Sequence, residues 1–475
     1  MSDPAGTIEH VFDVIAAIAE GARMAAQGEG RRLAGIAELV RERCGDQEHA
    51  WWACDDWDAA AAEVSAILGV THGRASAQMN LALSLRDRLP RVNALLMAGT
   101  VSYRVCEAIA NRTDLIGDKA ILGLVDRAIA EHVVSWGPMS NLALQRAIDF
   151  WVDRYDPAAV RRSQAQARDR EIGIGIRDAR GGVAEIWGRL HLTDAAVLDR
   201  QLTAMAHGVC QDDPRTIGQR RADAMGALAA GSDRLACTCG SPDCVAVEPD
   251  GRAASVVVHI VADAEVGDSE PGPAMPDERP ARGVMTGNRG IVPAPLLAEL
   301  IKAGATVRRL RRPGDEPEPG YRPSTALDEF VRMRDMTCRF PHCDKPAEFC
   351  DVDHTIPWPW GPTHASNLAC VCRKHHLLKT FWAGWRDRQH PDGTIVWTSP
   401  TGHTYTTQPG SRLLIPRWNV TTATLPAPAA QPPPTIGIMM PTRRKTRAAQ
   451  RASRIAAERT LNDTHVAERN RPPPF

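Results

Sequence analysis

The stretch Cys350–Thr380, CDVDHTIPWPWGPTHASNLACVCRKHHLLKT, carries four histidines and three cysteines in one short segment. Extended upstream through CRFPHCDKPAEFCDVDH, it contains two close pairs. Cys338 and Cys343 have four residues between them, and Cys372 and His375 have two. Two such pairs flanking a longer segment build small structural zinc sites, because each pair bends the backbone around one tetrahedral ion. The spacing assigns a structural Zn2+ to Cys338, Cys343, Cys372 and His375. Cys350 and Cys370 fit the spacing less well; either could replace a ligand, and each reads better as a small buried hydrophobe.

Zinc leaves Asp353, His354, Asn367 and His376 without a role. Adjacent helical residues are separated by about 100°, so His375 and His376 on one helix cannot face one ion. His375 shares a face with Cys372, whereas His376 faces elsewhere, with Lys379 and Thr380 one turn on. A second polar centre follows. Each residue also has a plainer reading: His354 as a satisfied loop histidine, Asn367 as a helix cap or loop former, and His376 as a zinc ligand in place of His375.

The segments DVDHTIPW, GPTHASNLACVC and CRKHHLLKT resemble, in order, the successive parts of the HNH endonuclease motif in its cysteine-bracketed, zinc-containing form. The resemblance implies a ββα-metal finger: a hairpin carrying the Asp-His pair, a loop carrying Asn, and a helix carrying the last His. SLRDRLPRVNALLMAGTVSYRVCEAIANRT, QRRADAMGALAAG, CTCGSPDC and DGTIVWTSPTGHTYTTQPGSR are similar to the actinobacterial HNH-signature family known from mycobacteria as the thirteen-E-twelve repeat proteins. The likeness covers residues 30 to 418, roughly. The bulky loop around Trp358 and Trp360 departs from the motif.

By that resemblance, His354 is the general base that deprotonates the attacking water, work suited to an imidazole. Asp353 and His376 hold one catalytic divalent ion, Mg2+ or Mn2+, which stabilises charge on the scissile phosphate and the leaving 3′ oxygen. Asn367 orients the base, and Arg373 and Lys379 clamp phosphates. The implied partner is DNA; the sequence names no protein partner.

At 475 residues the chain is long enough for two or more domains, and its 43% apolar and 24% charged residues are ordinary globular composition. Lys plus Arg equals Asp plus Glu, at 57 each, so any attraction to nucleic acid has to be local. The start, MSDPAGTIEHVFDVIAAIAEGARM, has neither the basic opening nor the cleavage site of a signal peptide. No apolar run reaches the roughly 18 residues of a membrane span. A cytoplasmic protein with no membrane partner is expected, with its twelve cysteines as thiols or metal ligands.

From about Gly30 to Ala230 the periodicity is mostly helical. Ala62–Leu83, broken at Gly69 and restarting near Thr71, reads either as a helical hairpin or as a helix-turn-helix reading DNA through His72, Arg74, Gln78 and Asn80. EIGIGIRDARGGVAEIWGRL, from Glu171, reads as a β-hairpin around Gly-Gly. SVVVHIVAD, from Ser255, reads as a more buried strand, Glu265–Arg282 as a linker, and PAPLLAELIKAGATVRRL as a helix ending at Gly304. GTIVWTSPTGHTYTT reads as two strands that brace the finger. Cys237, Cys239 and Cys244 either bind a metal with a fourth ligand such as Cys210 or His259, or form a reduced loop. After the Pro-rich LPAPAAQPPPT comes the basic RRKTRAAQRASRIAAER, read as a disordered tail or as an arm ordered by nucleic acid.

The expected fold class is α+β. The expected domains are an N-terminal extension (1–29), a mainly helical domain (30–310), the HNH domain with its trailing hairpin (311–418) and a disordered tail (419–475). A metal-dependent DNA endonuclease is the leading function. A non-cleaving DNA-binding protein associated with mobile elements is the alternative, and a purely structural zinc protein a third reading.

Overall fold

Helix α1 (Pro4–Cys44) is amphipathic: its buried residues Ala26, Leu33, Ile36, Ala37 and Val40 recur at three-, four- and seven-residue spacing, one stripe along the helix. The computed structural model describes residues 4–46, 48–161, 171–175, 183–261, 283–284, 291–292, 294–426 and 439–471. Against α1 pack α2 (Asp56–Leu68), α3 (His72–Leu83) and α4 (Pro90–Ala98). Helices α5 (Tyr103–Arg112), α6 (Lys119–His132) and α7 (Asn141–Tyr155) complete a core around Leu89, Leu96, Ile109, Val125 and Ile148. The expected domain boundary at residue 29 falls inside α1.

Helices α2 and α3 form where the sequence places them. Asp55 caps α2 by accepting the Asp58 N–H at 3.0 Å, Gly69 ends it in the left-handed conformation, and Thr71 caps α3. The polar residues offered as groove readers have other work. Gln78 is buried, His72 Nε2 lies 3.1 Å from Asp58, Arg74 lies 3.7 Å from Glu107, and Asn80 donates to Ser76 O at 2.9 Å. The pair is a helical hairpin whose second helix buries Ala75, Gln78, Met79, Leu81 and Ala82.

Two compact units divide the chain: Met1–Gln166 with Leu377–Ala383 and Gly437–Phe475, and Ala167–His376 with Gly384–Ile436. The second unit opens with the expected hairpin, β1 (Glu171–Gly175) antiparallel to β2 (Glu185–Arg189); its Gly181-Gly182 turn lies outside the described residues. Helices α8 (Leu192–His207) and α9 (Ile217–Ala229) pack on each other, α9 starting in a capping box between Thr216 and Gln219. Strand β3 (Val257–Val261) follows, then the short pair β4 (Gly283–Val284) and β5 (Ile291–Val292), and α10 (Ala294–Lys302). The expected linker at 265–282 lies outside the described residues.

The helix expected to end at Gly304 ends at Lys302, two residues before it. Gly304, at φ 102°, turns the chain, and the β-branched start of Thr306–Leu310 forms β6, parallel to β3. This pair is less buried than the sequence suggested: Val257 and Val307 are both exposed, because each strand has one sheet neighbour among the described residues.

Helix α11 (Thr325–Asp335) leads into β7 (Cys350–His354), β8 (Leu368–Cys372) and α12 (Arg373–Phe381). Strands β7 and β8 are antiparallel, pairing Cys350 with Cys372 and His354 with Leu368, and α12 follows β8 directly. The trailing hairpin is a three-stranded meander, β9 (Arg386–Gln389), β10 (Ile395–Thr398) and β11 (Thr404–Thr407), followed by α13 (Gly410–Leu414). The chain is thus mixed, mostly helical with small sheets, and among its described residues no helix is long and apolar enough to cross a membrane.

The basic segment read as a disordered tail is a helix, α14 (Arg447–Arg469), capped by Thr446. It belongs to the first unit because acids of that unit neutralise it. Arg447 bonds Asp55 and Asp58, Arg451 and Arg454 meet Asp114, and Arg459 bonds Asp156 at 2.7 Å. Buried Asn462 donates from Nδ2 to the carbonyls of Ala158 and Val160, both at 2.8 Å. Asn462→Ala removes the donor from a buried and a half-buried carbonyl and is expected to cost about 1–3 kcal/mol. Chemical denaturation reads the loss, and an unchanged midpoint with unchanged protease resistance of the C-terminus would refute the docking.

Candidate metal centre

Among the described residues strand β8 has only β7 beside it in its sheet, so its other edge leaves backbone groups for other partners. Side chains from the end of α11 fill that place. Asp335 accepts the Cys370 N–H at 2.8 Å, and Arg334 donates to Ala365 O and Leu368 O at 2.7 Å each. Arg339 reaches Asp335 Oδ1 at 3.0 Å and Thr407 O at 2.7 Å, while its own N–H donates to Cys370 O. Arg334, Asp335 and Arg339 are all buried. Burial by itself would raise the Asp335 pKa, but the two guanidiniums outweigh it and hold the carboxyl below the usual range.

This clamp sets Cys338 beside the end of β8. The loop after it folds back, Cys338 N–H to Lys345 O at 2.8 Å and Cys343 N–H to Phe340 O at 3.1 Å, which returns Cys343 to the same place. Cys372 ends β8 and His375 lies in the first turn of α12. The ligand atoms of Cys338, Cys343, Cys372 and His375 all fall within 4.8 Å of one another. His375 Nδ1 is 3.5 Å from Cys338 Sγ and 3.3 Å from Cys372 Sγ. Ligands at tetrahedral zinc bond lengths put sulfur and nitrogen about 3.6 Å apart, so the four predicted residues can hold a metal ion and their spacing is compatible with zinc. Hydrogen bonds from Cys338 and Cys343 hold the Cys372 thiol well below its ordinary range, whereas burial pushes Cys338 well above. Phe340 stacks on His375 at 4.0 Å, and buried Trp397 of β10 packs on Phe340 at 5.2 Å, so the meander supports the quartet. Cys350 and Cys370 are buried outside it.

The adjoining polar site is built by two periodicities. Alternation along β7 puts Asp351 and Asp353 on one face, and α12 turns His376 away from His375 toward them. His376 Nδ1 lies 2.8 Å from Asp351 Oδ2, and Nε2 lies 3.4 Å from Asp353 Oδ1. Asp353 and His376 therefore lie together, and Asp351, which sequence reasoning missed, joins them. Its signal was present: an Asp two residues before Asp353 on a strand shares its face. Arg373 is exposed and lies 3.5 Å from Asp351, and Lys379 sits on α12 one turn beyond His376.

His354, at the end of β7, is buried, with Nε2 2.9 Å from Thr363 Oγ1 and its ring stacked on Tyr321. The Thr363 hydroxyl donates its one hydrogen to Gly320 O at 2.6 Å, so toward His354 it accepts. The network thus places a proton on Nε2. Asn367 does the loop-forming work that was its plainer sequence reading. Its Nδ2 donates to Ile356 O and Pro362 O and its Oδ1 accepts the Ile356 N–H, bracing the loop that follows His354. A Cβ on Gly361 would sit 2.6 Å from that amide, which is why the loop has glycine there.

A family profile described as a domain of unknown function, DUF222, matches residues 20–335. The chain belongs to the DUF222 family. The Cys210–Cys244 group lies inside the matched region of this DUF222 chain and the Cys338–His375 quartet beyond it. Among its relatives in Mycobacterium tuberculosis strain ATCC 25618 / H37Rv, "Uncharacterized protein Rv2100" is 54% identical over 523 residues, covering 100% of this chain and 95% of that protein. "Uncharacterized protein Rv3776" of the same strain is 55% identical over 480 residues, covering 97% and 91%. No solved structure matches the chain.

Asp335→Asn leaves two buried arginines without their counter-charge and is expected to destabilise the second unit by about 3–5 kcal/mol at neutral pH. The depressed carboxyl contributes stability above its unfolded pKa, about 4, and that contribution is lost as pH falls through the lower folded value. The gap between wild type and variant should therefore close in acid. Denaturation at neutral and acid pH measures both, and a gap that widened in acid would contradict the assignment.

Proposed function

We propose that this DUF222 protein is a metal-dependent HNH endonuclease that hydrolyses phosphodiester bonds in DNA. The observation that carries the reading is the imidazole of His376, held between Asp351 and Asp353 on a hairpin-then-helix frame. Metal-binding histidines donate their second ring N–H to a carboxylate, which fixes the ring and raises its basicity. Asp351 takes the Nδ1 proton, so Nε2 of His376 and the carboxylate of Asp353 are the pair for a catalytic Mg2+ or Mn2+. Such an ion supplies charge stabilisation at the scissile phosphate and the leaving oxygen.

The chain's own residues do the rest. His354 accepts the proton of the attacking water while Thr363 keeps its ring oriented through Nε2. Asn367 holds the loop after His354, and Arg373 and Lys379 on α12 engage phosphate oxygens. Cys338, Cys343, Cys372 and His375 bind a structural zinc, and β7, β8 and α12 are the ββα-metal finger.

Supercoiled plasmid incubated with the purified protein and EDTA, Mg2+ or Mn2+ tests this. Nicking is expected with an ion and not with EDTA. His354→Ala should slow it by about 100-fold or more at unchanged zinc content. Asp351→Asn should raise the Mg2+ or Mn2+ concentration needed for half-maximal nicking by about 10–100-fold. Plasmid that stays intact under every ion, while salt-sensitive DNA binding persists, would replace the nuclease with a non-cleaving DNA-binding protein.

A further inference from the structure

A second group of thiols lies elsewhere in the second unit. Cys210 follows α8, and Cys237, Cys239 and Cys244 lie in the segment after α9; their four sulfurs fall within 4.8 Å of one another. His259, the other fourth ligand the sequence offered, does not belong to the group. We propose that Cys210, Cys237, Cys239 and Cys244 form a tetrathiolate site for one structural Zn2+, separate from the Cys338–His375 quartet, which fastens the segment after α9 to the α8–α9 hairpin.

The spacing suits a single ion. Four thiolates at zinc–sulfur bond length stand about 3.8 Å apart; Cys210 Sγ and Cys237 Sγ are 3.4 Å apart. A disulfide needs bonded sulfurs at about 2.05 Å, and all four cysteines are free thiols. A cluster of several irons holds its thiolates further apart than one ion does. An all-sulfur tetrahedral set with no open position is the donor chemistry of structural zinc.

The backbone is shaped to present these sulfurs. Cys237 N–H donates to Ala246 O at 2.7 Å, which closes the Cys237–Cys244 loop at its base. Gly240, directly after Cys239, takes φ 78°, a turn that other residues rarely make. The residues flanking Cys237 are pinned by buried carboxylates: Asp250 accepts the Ala236 N–H at 3.1 Å and Asp213 accepts the Thr238 N–H at 3.0 Å.

The local core cannot replace the ion. The buried residues around this hairpin are Leu202, Met205, Val209, Ala224, Ala227, Leu235 and Cys237, two of them alanines and one a ligand. Between Ala229 and Ala253 the chain forms no helix or strand. An irregular segment of that length on so small a core needs a covalent or metal fastener, and the thiols offer the metal one.

Metal analysis of the full-length protein tests the site independently of nuclease activity. Wild type is expected to carry two zinc ions per chain, Cys239→Ser/Cys244→Ser one, and Cys338→Ser/Cys372→Ser one. Because the first double variant can misfold, native alkylation with peptide mass spectrometry reads the same site in wild type. Cys210, Cys237, Cys239 and Cys244 should resist modification until a strong zinc chelator is added. One zinc per wild-type chain lost only with the Cys338 and Cys372 changes, iron in place of zinc, a disulfide within the group, or immediate alkylation of the four thiols would each overturn the proposal.

Discussion

One carboxylate, Asp335, ties together the part of the chain that carries the Cys338–His375 quartet. Burying it with Arg334 and Arg339 carries a desolvation cost that apolar side chains would avoid. What apolar side chains lack is the capacity to satisfy the backbone. Among the described residues strand β8 has one sheet neighbour, and its other edge is completed by Asp335 on Cys370 N–H, by Arg334 on Leu368 O, and by Gln389 on the same carbonyl. Two charged groups and an amide thus do the work of a further strand. The same contacts set the end of α11, and so Cys338, against the end of β8, where Cys372 stands.

From that frame the division of labour follows by periodicity alone. Side chains alternate along β7, so Asp351 and Asp353 share a face while their neighbours turn away. Adjacent residues of α12 diverge, so His375 meets thiols and His376 meets carboxylates. The two donor sets differ in kind. Soft sulfur with one imidazole suits zinc, whereas the second set pairs an imidazole with two carboxylates. One residue of offset on α12 keeps the thiol-facing histidine and the carboxylate-facing histidine apart.

Charge in the first unit is arranged over much longer sequence distances. Arg459 and Asp156 are 303 residues apart and bonded at 2.7 Å, and Arg447 reaches Asp55 across 392 residues. The equal totals of acid and base in the composition reflect such pairing in part. A basic run read alone resembles a solvated tail, because nothing near it in sequence is its partner.

Local chemistry was legible in the sequence. Spacing sufficed for the Cys338, Cys343, Cys372 and His375 set, for the divergence of His375 from His376, for the β1–β2 hairpin, and for the break at Gly69 between α2 and α3, since each depends on bond geometry over a few residues. What only the tertiary structure decided depends on partners remote in the chain. Cys210 proved to be the fourth thiol of the second group, since α8 and α9 pack so as to bring it there. Gln78 proved to be core, since α3 is covered on that face. Asn367 proved to brace a loop, since the backbone of Ile356 and Pro362 closes around it, and β6 proved to be a strand, since β3 lies beside it. A hydrogen bond or a buried face needs its second half before it can be read, and the sequence by itself holds the two halves far apart.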